Sequence, residues 1–252
     1  MLHDQYVMER YKEGLTGKGT QTASPKFDFK KPVFKTSNIL DLTPISELNT
    51  EHPARDYLER RKIEDLNLFY YCPKFKDWTN RQKKTFDTLR QDSARIIIPL
   101  RDKDGTMFGF QGRSLAPKAK IRYITIMLDD SMPKVYGLDR VDPTKEVYVT
   151  EGPFDSHFIT NAIAMCGSDV NLSSYDYKFV YTFDNEPRSR EIVAKIGVAI
   201  KAGHKVVIFP KSIKEKDLND MALAGHDVQS LVESHTYSGL AATLKLNEWK
   251  RV

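Results

Sequence analysis

Between Lys145 and Phe209 the chain alternates between two hydrophobic rhythms, and that alternation limits its fold more than any other feature. E-V-Y-V-T (Glu146 to Thr150), A-M-C-G (Ala164 to Gly167), K-F-V-Y-T-F (Lys178 to Phe183) and K-V-V-I-F (Lys205 to Phe209) are short apolar runs that read as strands. The stretches between them carry apolar residues at helical spacing. Gly152-Pro153 predicts the start of a helix with Phe154, Phe158, Ile159, Ala162 and Ile163 on one side. Pro187 suits the first position of a second helix, buried through Ile192, Ile196, Ala199 and Ile200 and ended by Gly203-His204. Strands that alternate with helices predict a parallel sheet covered by those helices.

Acidic residues stand where these strands end. Glu151 directly follows the first, and Asp155 lies four residues on, about one helical turn along the same face. Asp184 and Glu186, in F-D-N-E-P, follow the third, and Asp217 and Asp220 come shortly after the fourth. In open parallel sheets, sites form at the carboxyl ends of strands. Any one acid beside a helix start is often only a cap or a dipole partner; the ordered set, each at a strand exit, points to one shared edge. Packed carboxylates repel and hold their protons, and a divalent cation removes that conflict. Hard oxygen donors without His or Cys fit Mg²⁺ or Mn²⁺ rather than zinc. Gly152 lets the backbone approach closely at the turn.

The rest of the chain is organised differently. Residues 1–40 include the polar, Gly/Thr/Ser-rich stretch from Gly14 to Lys26 and read as a flexible arm or linker. From Ile45 to Arg95 the pattern is helical: Pro53 starts a helix striped by Ala54, Tyr57 and Leu58, and Tyr70, Tyr71, Phe75 and Trp78 read as core aromatics. Ile96 to Leu100 and the segment from Thr106 to Arg113 read as paired strands around the turn Asp102 to Gly105, with further strand-like pieces from Ile121 to Met127. The final segment, Ser238 to Lys250, reads as a helix packed through Trp249.

Composition excludes several classes. The 252 residues contain two cysteines, Cys72 and Cys166, too few for a Cys-rich zinc ribbon or a disulfide framework, which fits a reducing compartment. No window approaches the roughly 18 apolar residues of a membrane span, and residues 1–20 lack the apolar centre of a signal peptide. The net charge of +5 admits a polyanionic partner.

E-G-P-F-D-S (Glu151 to Ser156), F-D-N-E-P (Phe183 to Pro187) and K-D-L-N-D (Lys216 to Asp220) resemble the three acidic motifs of a Toprim domain, with D-N-E where D-x-D is usual and altered spacing in the third. Upstream, R-I-I-I-P-L-R-D-K-D-G-T-M-F-G-F-Q-G-R (Arg95 to Arg113), R-Y-I-T (Arg122 to Thr125) and A-R-D-Y-L-E-R-R-K-I (Ala54 to Ile63) resemble the module that precedes Toprim in DnaG-type primases. The set is most similar to the primases of T-even-like bacteriophages, from about Pro53 to the C-terminus. The resemblance implies an α/β chain: a flexible arm over 1–40, a mixed α+β basic subdomain over 41–143, a Toprim domain over 144–225 with a mainly parallel sheet and helices on both faces, and a helical segment over 226–252. It implies synthesis of short RNA primers from ribonucleoside triphosphates on a single-stranded DNA template, in the host cytoplasm if phage-encoded, with no membrane involved. Glu151, Asp155 and Asp184 are then catalytic. Mg²⁺ or Mn²⁺ falls to Glu151, Asp184, Glu186 and Asp217, and nucleotide and DNA binding to Arg101, Arg113, Lys120, Arg122 and Lys134. A replicative helicase is the implied partner. No structural zinc is expected in this chain, so the zinc module usual in such primases is either lost or supplied in trans. Two readings stay open beside this one: a Toprim nuclease, and a non-catalytic subunit that binds single strands or docks on a helicase.

Overall fold

In a computed structural model, residues 41–167 and 170–252 are described, and their order follows local chemistry; the arm expected over 1–40 lies outside them. The first strands and helices are β1 (Thr43–Pro44), α1 (Pro53–Arg60), β2 (Tyr70–Cys72), α2 (Phe75–Gln82), β3 (Arg95–Arg101), β4 (Met107–Ser114) and β5 (Tyr123–Met127). As expected, Pro53 opens α1, where the His52 imidazole accepts the Ala54 N–H at 3.2 Å. β3 and β4 form the expected hairpin, and the five strands order as β1-β2-β3-β4-β5, each neighbouring pair antiparallel.

Side chains alternate across this sheet. Ile97 and Phe110 face α2, where Phe75 and Trp78 are fully buried and the Trp78 and Phe110 rings stand 4.7 Å apart. The aromatics therefore pack the core, as their clustering predicted. Ile96, Ile98 and Leu100 point the other way, into a core shared with the second sheet.

The second sheet is built from β6 (Val135–Tyr136), β7 (Glu146–Thr150), β8 (Ala162–Met165), β9 (Lys178–Thr182), β10 (Lys205–Val207) and β11 (Thr236–Tyr237), in the order β11-β10-β9-β7-β8-β6. The four central strands are parallel and both edges antiparallel. On one face α3 (Arg190–Lys201) and α6 (Gly239–Trp249) bury Ile192, Ile196, Val206 and Trp249. The opposite face packs Tyr148, Val180 and Val207 against α4 (Leu218–Leu223) and α5 (Val228–Ser234). This is the mixed α/β architecture with helices on both faces that the sequence implied. The sheet takes its outermost strands from either side of residues 144–225. Trp249 donates its indole N–H to Asn185 Oδ1 at 3.1 Å, so the C-terminal helix braces the exit of β9.

Two expectations change. The helix foreseen after Gly152-Pro153 is a single 3₁₀ turn, Asp155–Phe158, and Ala162 and Ile163 belong to β8 instead of a helix. Asn161, at φ 59°, reverses the chain there, and its amide is held by the Asp142 and Glu146 carbonyls. The crossover over 151–161 is thereby too short for a full helix, and β-branched Ile163 pairs well beside Val149. The second helix begins at Arg190, not at Pro187, because the Ser189 hydroxyl caps it by accepting the Ile192 N–H at 3.3 Å.

Candidate active site

Three strand exits converge. Past β7, the Thr150 hydroxyl donates to the Gly152 carbonyl at 3.0 Å and closes the turn that carries Glu151. A β-carbon on residue 152 would sit 2.8 Å from Asp155 Oδ2, so glycine is what lets the Asp155 carboxylate fold back against this turn. Past β9, Asp184 is anchored by its neighbour: the Asn185 N–H donates to the Lys216 carbonyl at 2.6 Å, and its amide donates to Glu215 at 3.0 Å. That ties the β9 exit to the loop after β10, where Asp217 caps α4 by accepting the Asp220 N–H at 2.8 Å. Glu151, Asp155, Asp184 and Asp217 all line one cleft of about 850 Å³. The same cleft is lined by Met165, Tyr181 and Phe183 of the second sheet, by Ala194, Lys195 and Val198 of α3, and by Gln111 and Tyr123 of the five-stranded sheet.

The carboxylates are crowded and partly desolvated. Burial, with repulsion from Asp217 and Asp184, pushes Asp155 up to about 8, although the Asn219 N–H and the Arg61 charge oppose the shift. Burial, with repulsion from Glu151 and Asp217, raises Asp184 to about 6 against the pull of Lys216. Shifts of this kind mark functional clefts. Two lysines bracket the cluster: Lys195 Nζ lies 3.2 Å from Glu151 and 2.8 Å from Glu191, and the half-exposed Lys216 Nζ lies 3.5 Å from both Asp184 and Glu186. Arg61 Nη1 donates to Asn219 Oδ1 at 2.6 Å, and the Asn219 N–H donates to Asp155 at 3.2 Å, so α1's end is joined to the acidic cluster.

The donor set is all oxygen, which suits a hard divalent cation. Among the described residues no three His, Cys, Asp or Glu side chains close into a ready-made metal cage. A cation here would be held by one or two carboxylates and complete its shell with water and phosphate oxygens, the way Mg²⁺ usually binds.

Not every expected residue reaches the cleft. Glu186 stands beside Asp184 through Lys216 but outside the lining. Arg113 lies next to it, with its guanidinium 5.0 Å from the Tyr123 ring and 5.2 Å from that of Tyr57, whose hydroxyl accepts its Nε–H at 3.2 Å. Arg101 turns away to the Gly105 carbonyl of its hairpin. Lys120 and Arg122 are exposed before β5, and Lys134 borders a separate depression with Asp130 and Ser173. Sequence reasoning passed over Lys195, Lys216, Arg61, Asn219 and Gln111. The i, i+4 pair Glu191–Lys195 and the alternation of Gln111 with Arg113 were the available signals.

No protein-family model matches the chain. The DNA primase of Enterobacteria phage T4 is 29% identical over 261 aligned positions, which cover 100% of this chain and 75% of that protein. Among solved structures, the RNA polymerase domain of Mycobacterium tuberculosis primase DnaG superposes with a TM-score of 0.58 at 20% identity, covering 77% of this chain and 79% of that one. A DnaG primase catalytic domain bound to single-stranded DNA superposes with a TM-score of 0.53 at 18% identity, covering 74% and 72%. Among the described residues no helix is long and apolar enough to cross a membrane.

Proposed function

We propose that this chain, a member of the DNA primase family that includes the phage T4 enzyme and has the DnaG catalytic-core fold, is a primase core that joins ribonucleoside triphosphates on single-stranded DNA. The observation that carries this reading is the delivery of Glu151, Asp155, Asp184 and Asp217 from three strand exits to one cleft. Residues 41–143 supply the basic, nucleic-acid-facing part, 144–225 the acidic site, and 226–252 the brace behind it.

The reaction joins a 3′-hydroxyl to the α-phosphate of a nucleotide and releases pyrophosphate. Glu151 and Asp184 are assigned the divalent ions, Mg²⁺ or Mn²⁺, with Asp217 and Glu186 as further donors; bound there, such ions acidify the hydroxyl and neutralise the leaving group. Asp155, held by the Asn219 N–H, orients the Glu151 turn. Lys195 and Lys216 pair with Glu151 and Asp184 and face an incoming triphosphate with positive charge. Arg113, whose guanidinium lies over two tyrosine rings, adds a further cation beside the cleft. Arg101, Lys120, Arg122 and Lys134 lie farther out, where phosphate contacts hold a strand without reading its sequence. A replicative helicase, and a zinc-bearing module acting in trans, complete the proposed partners.

The test is dinucleotide formation from ribonucleoside triphosphates on labelled single-stranded DNA. Glu151→Gln and Asp184→Asn each abolish synthesis while far-UV circular dichroism stays that of the wild type. Cleavage of the DNA instead of extension would establish a nuclease, and full activity in either variant would sink the assigned site.

A further inference from the structure

Among the described residues, Lys195 is the one lysine or arginine that lines the cleft. Its ammonium is shared between two acids of different character: Nζ lies 3.2 Å from Glu151 Oε1 and 2.8 Å from Glu191 Oε1. The Glu151 side chain, on the turn past β7, is 22% exposed, whereas that of Glu191, in the first turn of α3, is 71% exposed. Glu191 and Lys195 stand four apart on one helix with the acid N-terminal, the favoured order for such a pair. Lys195 is therefore tethered by its own helix and reaches from there to Glu151.

Glu151 is also a carboxylate assigned to a divalent cation. Lys195 and such a cation compete for it, because two positive charges a few ångströms apart repel strongly where water is partly excluded. The lysine charge sits on a flexible four-carbon stem with rotatable donors, so the ammonium can leave Glu151 while keeping Glu191. The other anion that enters this cleft is the triphosphate of a nucleotide.

We propose that Lys195 couples nucleotide binding to cation binding: its ammonium, tethered by Glu191, turns from Glu151 to an arriving triphosphate and so frees Glu151 for the divalent cation. The proposal rests on the primase reading and adds a linkage between its two ligands. Both ligands favour the lysine displaced from Glu151. Each therefore raises the affinity of the other, and by the same factor. An apolar side chain at position 195 neither competes for Glu151 nor contacts phosphate. The cation alone then binds more tightly and the nucleotide alone more weakly. Effects of opposite sign separate an exchanging charge from a side chain needed only for shape, whose loss lowers both affinities.

The experiment measures two affinities separately: Mn²⁺ without nucleotide, by electron paramagnetic resonance of the free ion, and a fluorescent ATP analogue in EDTA. Lys195→Met is expected to tighten Mn²⁺ about tenfold and to weaken the nucleotide about tenfold. Lys195→Arg keeps the charge and is expected to behave as the wild type in both. Glu191→Gln removes the tether and leaves the ammonium to Glu151 alone, so Mn²⁺ is expected to bind several-fold more weakly; this variant carries the test if Lys195→Met does not fold. Mn²⁺ affinity unchanged or lower in Lys195→Met, nucleotide affinity unchanged there, or Mn²⁺ affinity unchanged or higher in Glu191→Gln overturns the proposal and leaves the primase reading standing. A wild-type chain that binds neither Mn²⁺ nor nucleotide overturns the primase reading itself.

Discussion

Replacing Asp155 with Asn is expected to stabilise the metal-free protein, and more so as pH rises. Below pH 3.8, the ordinary value for an Asp carboxyl, this group is protonated in both folded and unfolded chains and contributes nothing. Between 3.8 and about 8 the unfolded chain has lost the proton and the folded chain still binds it, so folding is penalised increasingly with pH; above about 8 the penalty is constant. At ~1.4 kcal/mol per pH unit the ceiling is about 6 kcal/mol. Water entry and relaxation of the cleft bring the realised penalty to about 2 kcal/mol. The amide of Asn removes the charge and still accepts the Asn219 N–H. For a chain of this size ~2 kcal/mol is about 4–8 °C in Tm. The assay is thermal unfolding in EDTA at pH 5, 6.5 and 8. The Asn variant should gain on the wild type across the series, and Mg²⁺ should narrow the gap by stabilising the wild type. A variant less stable than the wild type at pH 8, or a difference independent of pH, would refute the reasoning. Such a gain at the expense of activity is the usual trade at a strained site.

Lys216→Met removes the cation that lowers Asp184, so the acid limb of the pH–rate profile for dinucleotide synthesis should move to higher pH. Gly112→Ala places a β-carbon 2.4 Å from the Phe75 ring, and denaturant unfolding should show a loss of about 1–3 kcal/mol. Trp249→Ala empties the pocket under α3 and frees Asn185; a loss of about 3–5 kcal/mol, with slower synthesis because Asp184 is next in the chain, is expected from the same unfolding and kinetic measurements.

Several features were legible because they depend on neighbours along the chain. Pro53 after His52 set the start of α1, the Asp102–Gly105 turn set the β3–β4 hairpin, and strand periodicity placed Glu151 and Asp184 at strand exits. The acidic motifs and the segment before them carried the resemblance to DnaG-type primases, and the phage T4 DNA primase aligns with the whole chain at 29% identity. The failures fall where a distant contact decided the outcome. Phe154, Phe158, Ile159, Ala162 and Ile163 have helical spacing, yet Asn161 is bonded to Asp142 and Glu146, and Ala162 and Ile163 pair with β7. Local propensity is worth tenths of a kcal/mol per residue, so parallel pairing and burial override it.

The sequence alone determined which residue types were available and which stood at the ends of strands, because periodicity and turn chemistry are short-range. Only the tertiary structure decided which of them meet: Lys195 with Glu151, Lys216 with Asp184, and Arg61 through Asn219 with Asp155. Those pairings join residues dozens to more than a hundred positions apart. Charge and hydrogen bonding act over a few ångströms of space, a distance that chain order does not encode.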